Sequence, residues 1–433
     1  MEKIIAEHRD EIMRIIISSK NLRVASAQIQ KQFEIGYIKT QQIINYMKIT
    51  DLSALPVSLK EYLRQQVLQG AIERYGNEFV QTPMFTQRAE TELQTLCANE
   101  NTIAYLLLVA DYVNFARKMG TMVGPGRSSA AGSLVLYCLK ITDIDPLKYG
   151  LLFERFYSDT SVLPVIDIDV EDCEYEKVKD YVKQTYGHSH PGTTNILGLL
   201  VLTMIKRCLH NIKQTRGIDL DLKAIPQDDE RTIRLFQEGR TAGVFQFESE
   251  DMRKYLRELV PETFNELLAL NALHRPPTIG RIPQFIACKH RKNEISVVEE
   301  CLEETYGLIV YQEQTMLLAQ RIANFSPEES DMLRWAFTRM KQPVLDVLKT
   351  NFLSGGRQNG YDEQSLEHIW QSMYDSRFSF LKAHSVCYTW LAYQAAYLKA
   401  NYPLEFLDAF ATVCERDADC LNLLKEELHS IIR

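Results

Sequence analysis

The 433-residue chain is 45% apolar and 24% charged, which excludes disordered and fibrous classes and leaves room for two to three domains with real cores. Its formal charge of −8 argues for solubility and against wholesale electrostatic capture by nucleic acid or a membrane, so any nucleic-acid contact must be local. Its 19 glycines and 14 prolines amount to about 8% of the chain against about 12% on average, and so few breakers mean long helices.

Residues 1–48 carry eight Lys or Arg and five Asp or Glu, a basic segment in an acidic protein. Ile12, Ile15 and Ile16 recur at helical spacing, residues 24–33 read as a short helix, Gly36 sits in a tight turn, and residues 38–47 form a second helix. The pattern predicts a helix-turn-helix over 1–50 whose second helix presents Lys39, Thr40, Gln41, Gln42 and Asn45 to DNA phosphates or base edges. A small helical bundle with a solvated basic face fits the same pattern. Residues 51–59, with Ser53, Pro56 and Ser58, read as a linker. Helices are expected over 62–75, 88–97 and 105–118.

The one glycine-rich loop follows, Val123-Gly-Pro-Gly-Arg-Ser-Ser-Ala-Ala-Gly-Ser133. Gly126 lets a backbone approach a ligand closely, while Arg127, Ser128 and Ser129 can bind phosphate oxygens at a helix start. A tight turn with close helix packing through Ala130, Ala131 and Gly132 is the other reading. Alternation in Leu163-Pro-Val-Ile-Asp-Ile-Asp-Val-Glu-Asp172 predicts a strand with Asp167, Asp169 and Glu171 on one face. Carboxylates so placed repel unless a cation holds them, and divalent ions in phosphoryl transfer are the usual solution. A solvated strand edge is the alternative.

The run from Gly124 to Phe156, together with residues 241–249, 272–276, 306–314 and 393–403, closely resembles the alpha subunits of bacterial DNA polymerase III, the C-family replicative polymerases. The resemblance extends over about residues 60–410. It implies an α+β, predominantly helical fold, with a Pol β-like palm over 60–205 and a helical fingers domain over 206–415; beyond the resemblance, a C-terminal helix is expected over 416–433. It further implies Mg²⁺ as cofactor if the protein is active; Asp167 and Asp169, aided by Glu171, are then the metal-binding catalytic residues after a two-residue shift of the strand, which preserves the side-chain face. In the fingers Arg275, Lys289, His290, Arg334, Lys341, Lys382 and His384 are implied as contacts to a deoxynucleoside triphosphate, whereas Phe245, Phe247 and Tyr393 read as core. Residues 1–50 also resemble, over a short stretch, the winged-helix domain of FtsK-type DNA translocases.

Departures from the family pattern decide how much of this carries over. The family's acidic strand reads Pro-Asp-x-Asp-x-Asp with its first two aspartates as metal ligands, and here the first falls on Val165. The third family carboxylate falls on Asn195, a neutral and weaker Mg²⁺ ligand. Ser128 replaces the glycine of a Gly-Ser pair, and a basic run has become Arg334-Trp-Ala-Phe-Thr-Arg-Met340. Only 26 positions separate Asp169 from Asn195, too few for the family's thumb, and His188 and His190 in that connector read as loop residues rather than metal ligands.

Three readings follow. The favoured one is a polymerase III alpha-like protein of DNA replication or recombination that binds DNA and nucleotide, with impaired or lost nucleotidyl transfer. The alternatives are an active minimal DNA polymerase using Asp167 and Asp169, and a non-catalytic protein-interaction scaffold; replication proteins are among the expected partners. The nine cysteines, odd in number and without a CxxC pair, fit a reducing cytoplasm. No signal-peptide profile opens the sequence and no apolar run is long enough to span a bilayer, so a cytoplasmic location with no membrane partner is expected.

Overall fold

A computed structural model describes residues 59–157, 162–186, 194–291, 300–414, 421–422 and 424–425. The predicted helix-turn-helix with Lys39, Thr40, Gln41, Gln42 and Asn45, the linker except Leu59, the connector histidines and nearly all of the predicted C-terminal helix lie outside these residues. The described chain is α+β and predominantly helical. None of its helices is long and apolar enough to cross a membrane. It divides into two compact units: one takes residues up to Val123, Ser133–Asp143 and Asp159–Gly198, and the other takes Gly124–Gly132, Ile144–Ser158 and everything from Leu199 on. The glycine-rich loop, which the sequence reading groups with the palm, therefore belongs to the helical unit.

In the first unit α1 (Leu59–Phe79), α2 (Pro83–Leu96), α3 (Glu100–Lys118) and the short α4 (Leu134–Cys138) precede a two-stranded sheet of β1 (Ile166–Glu171) and β2 (Thr194–Leu199), with α5 (Tyr175–Tyr186) between the strands in sequence. The three expected helices are present, each with longer or slightly shifted ends. Gly70 makes the α1–α4 approach possible, because a Cβ there would stand 1.9 Å from the Cys138 carbonyl oxygen. The start of α4 is fixed by Glu92, a wholly buried carboxylate that accepts the Ser133 hydroxyl at 2.7 Å and the Leu134 and Val135 N–H groups at 2.9 and 3.0 Å. An anion at a helix N-terminus meets both orphan donors and the helix dipole. Arg74 and Arg117 converge on Asp143 at 2.8 and 3.0 Å, and the Arg74 guanidinium lies 3.9 Å from the Tyr137 ring centroid.

The second unit is built of α6 (Leu200–Arg216), α7 (Glu230–Gln237), α8 (Glu250–Leu259), α9 (Phe264–Leu273), α10 (Ile282–His290), α11 (Gln312–Ala323), α12 (Pro327–Arg339), α13 (Gln342–Gln358), α14 (Glu363–Asp375), α15 (Lys382–Asn401) and α16 (Pro403–Cys414). Its axis is α15, buried on all sides from Ala383 to Lys399, as expected of a helix without a polar stripe. Phe247 and Tyr393 are fully buried, as the sequence reading expects, while Phe245 is half-buried with its ring edge-on to Tyr388 at 5.1 Å. A satellite core that includes Leu333, Phe337, Phe352, Leu366 and Trp370 holds α11 to α14 together.

Glu405 on α16 ties that helix to α6 by accepting from Arg216 at 2.7 Å and from the Thr215 hydroxyl at 2.7 Å. Arg216 holds the carboxylate at about 2, below its ordinary value, so the contact stabilises the fold above pH about 4.5 and is lost as pH falls toward 2. Because Arg216 is half exposed, the contribution is about 1–2 kcal/mol rather than the full linkage value. Glu405→Gln is expected to lower thermal stability by that amount at pH 7. In parallel melts, its deficit against wild type should close between pH about 4.5 and 2.

Candidate functional site

Alternation along β1 puts Ile166, Ile168 and Val170 on one face, all buried, and Asp167, Asp169 and Glu171 on the other. That second face is not the open carboxylate row the sequence predicts. Asp169 and Glu171 are 2% and 1% exposed, and Glu171 accepts the Met122 N–H at 3.1 Å, with the Cys173 thiol 3.7 Å from its other oxygen. Backbone pairing continues on this side, where the Glu171 N–H donates to the Met122 carbonyl at 2.9 Å and Val123 bridges Val170 in antiparallel fashion. Glu171 is thus a structural carboxylate that closes the 122–123 segment onto β1.

Asp167 is the more accessible of the three, and its neighbour across the sheet is Asn195, whose Nδ2 donates to Oδ1 at 2.8 Å. The structure therefore brings together two of the positions that the resemblance singles out, while Val165, before the strand, is 52% exposed. An amide donor here does the work a cation would do between two carboxylates: it satisfies a lone pair of Asp167 and adds no second negative charge. Among the described residues no three His, Cys, Asp or Glu side chains form a group suited to a metal ion. Of the expected metal set, Asp169 and Glu171 are buried and Glu171 is engaged by Met122, which leaves Asp167 as the accessible carboxylate. Gly198 in the same strand is required sterically, since a Cβ there would meet Asp172 Oδ1 at 2.8 Å and Cα at 3.0 Å.

In the second unit the loop residues Gly126, Arg127, Ser128 and Ser129 lead into a 3-10 turn, Ser128–Gly132. Gly126 has φ 130° and Ser128 φ 54°, conformations that favour glycine, so the loop is held by its surroundings rather than by local preference. One anchor is His384 on α15, whose Nδ1 accepts the Ser128 N–H at 3.2 Å. The His384 ring also lies 5.3 Å from Phe380 and 4.3 Å from Tyr388. Arg275 is held beside the same aromatic ring, with its guanidinium 4.6 Å from the Phe380 centroid. It donates to Gln246 at 3.2 Å and Asn271 at 3.2 Å, both neutral, and its buried Nε has no hydrogen-bond partner among the described residues. Burial pushes the Arg275 guanidinium down from its ordinary value, as expected for a cation without a carboxylate. An anionic ligand would relieve both deficits.

The other predicted contacts divide. Lys341 and His290 are exposed at helix ends, Arg334 is paired with Asp331 at 2.7 Å, and the Lys382 ammonium pairs with Glu304 at 2.7 Å and lies 5.7 Å from the Tyr311 ring centroid. Lys289 is turned inward. It is 5% exposed, and its ammonium donates to the carbonyls of Leu259 at 3.2 Å and Val260 at 2.7 Å and to Glu266 at 3.0 Å, so its three donors are spent internally. Sequence reasoning passed over Gln246 and Asn271, which hold Arg275, and Glu313, a buried carboxylate that caps α15 by accepting the Lys382 and Ala383 N–H groups at 2.9 and 3.2 Å. Burial raises the Glu313 carboxyl, against the pull of those N–H groups. Gln246 and Glu313 stand in the very runs quoted for the resemblance; only their partners were hidden, lying 29 and about 70 positions away.

Comparison with known proteins bears on both units. Residues 61–246 match the family model described as the bacterial DNA polymerase III alpha NTPase domain, and residues 201–360 match the bacterial DNA polymerase III alpha subunit finger domain. The DNA polymerase III subunit alpha of Halalkalibacterium halodurans is 32% identical over 86% of this chain and 44% of its own length. The Aquifex aeolicus subunit is 29% identical over 85% and 45%, and that of Staphylococcus epidermidis 31% identical over 70% and 40%. The chain thus spans less than half the length of these relatives. Two family models that follow one another along the helical and acidic-strand units just described, with relatives matching most of the chain, place this protein in the family of bacterial DNA polymerase III alpha subunits, as a divergent member.

Proposed function

We propose that this protein is a polymerase III alpha-like binding protein of DNA replication or recombination, which takes up DNA and a deoxynucleoside triphosphate and has lost nucleotidyl transfer. The observation that carries the proposal is the Asn195–Asp167 hydrogen bond: where the chemistry needs carboxylates facing a divalent ion, this chain has an amide facing one carboxylate. Loss of the donor set with retention of the surrounding strands and helices is what a binding role would leave. Arg275, partnered only by neutral side chains, with Arg127 and the Ser128 and Ser129 hydroxyls as further groups of the same unit, supports retention of a triphosphate site. The N-terminal basic segment supports DNA binding in the protein as a whole.

The test is primer extension on a short primed template with Mg²⁺ and separately Mn²⁺, beside thermal shift with a deoxynucleoside triphosphate. No extension by wild type is expected, together with a triphosphate-induced rise in Tm that Arg275→Ala abolishes. Extension lost in Asp167→Ala/Asp169→Ala would establish the active-polymerase reading instead. Neither extension nor any ligand-induced shift would leave the scaffold.

A further inference from the structure

Helix α12 buries Leu333, Ala336 and Phe337 in the satellite core, and the opposite edge should be polar if it were an ordinary solvated surface. Instead it exposes Met332 by 51% and Trp335 by 42%, and Met340, just past the helix end, is exposed by 55%. Trp335 lies one turn after Met332 and one turn before Arg339, so the three share a stripe. Arg339 and Lys341 are exposed and have no carboxylate partner among the described residues, whereas Arg334 in the same helix is neutralised by Asp331. The acidic residues Glu328 and Glu329 stand at the far, N-terminal end, where Glu329 closes a capping box with Ser326. The result is an exposed aromatic ring with Arg339 one turn along the same helix and Lys341 just past the helix end, two available cations on a protein whose net charge is −8.

We propose that Trp335, with Arg339 and Lys341, is a stacking site for single-stranded nucleic acid. A base has a π-face of the right size for an indole, its phosphates need the cations, and the two methionines offer polarisable contact to a neighbouring base. An apolar protein partner would gain nothing from the cations, and an acidic peptide would gain nothing from the ring. The site uses none of residues 1–50 and shares only Lys341 with the residues expected to contact the triphosphate, while Trp335 and Arg339 belong to neither set, so it goes beyond the function proposed above.

The chain carries its own probe, because the other two tryptophans, Trp370 and Trp390, are 6% and 9% exposed. With the full-length protein, an oligo-dT strand of about 20 nucleotides, long enough for several stacked bases, is expected to quench emission by up to one tryptophan's share. Fluorescence anisotropy of a labelled strand would follow binding in parallel. Trp335→Ala should weaken the anisotropy Kd by roughly 5- to 150-fold, the range for one lost base stack, while Trp335→Phe keeps most of the affinity. Arg339→Gln/Lys341→Gln should flatten the slope of log affinity on log salt by roughly 1.4, the single-strand value for two phosphates. Binding by anisotropy without quenching of Trp335 overturns this site and leaves the DNA-binding reading standing. Absence of any binding overturns both.

Discussion

Asn195→Asp is expected to make the first unit depend on a divalent ion. The Asn195 amide donates to Asp167 at 2.8 Å. With Asp in its place the donor is gone and two carboxylates face one another at an exposed position, which costs about 1 kcal/mol for the lost hydrogen bond and about as much again for the solvent-screened like charges. In EDTA the variant should melt several degrees below wild type, and millimolar Mg²⁺ or Mn²⁺ should restore part of the loss, because two carboxylates across a sheet are a far better ligand pair for a hard cation than a carboxylate and an amide. Wild type should show the same Tm in EDTA and in Mg²⁺. Asn195→Ala, which removes the donor without adding charge, should be destabilised by about 1 kcal/mol and unresponsive to metal. A wild-type Tm that rises with Mg²⁺ and loses that rise in Asp167→Ala would show that the present pair does hold a cation, and would remove the ground for a non-catalytic reading.

What the sequence made legible here is what local periodicity controls. The scarcity of breakers announced long helices, and the alternation in 163–172 announced β1 together with the shared face of Asp167, Asp169 and Glu171. The substitution at Asn195 was visible too, but only the sheet shows that its amide reaches Asp167. What remained hidden depends on partners distant in sequence. Period two says which side chains share a face and not whether that face is covered, so Asp169 and Glu171 looked available although backbone from residues 122 and 123 closes over that end of the strand. Glu92 gave no sign of capping a helix 41 or more positions later. The same limit applies to cations: Arg275 and Lys289 stand within fifteen residues of each other, and nothing in their flanks distinguishes the arginine held by two neutral amides from the lysine whose donors are filled. The residues that oppose them, Gln246 and Asn271 in one case and Glu266 in the other, decide the matter.

Lys289 therefore supplies the second large effect, on stability and not on ligand binding. Its ammonium is the hub of a buried cluster in which Glu266 also accepts from the Tyr306 hydroxyl and from the Thr263 N–H at 3.3 Å, so that one carboxylate serves a capping box, a tyrosine and a lysine. The Tyr306 phenol is pushed well above its ordinary value by burial and by this carboxylate, in keeping with its role as a donor to Glu266. Lys289→Met keeps the aliphatic volume and leaves Glu266 without its cation and the carbonyls of Leu259 and Val260 without a donor. Breaking a buried pair from one side costs about 3–5 kcal/mol, and a drop in Tm large enough to shift the chemical-denaturation midpoint of the second unit is the expected outcome. Glu266→Gln in the Lys289→Met background should recover part of the loss, because an amide still accepts from Tyr306 and carries no unpaired charge. The triphosphate-induced shift, measured below the lowered Tm, should be unchanged in the double variant while it is lost in Arg275→Ala. If Lys289→Met is as stable as wild type and fails to bind triphosphate, the lysine is a ligand contact after all and its internal hydrogen bonds open when nucleotide arrives.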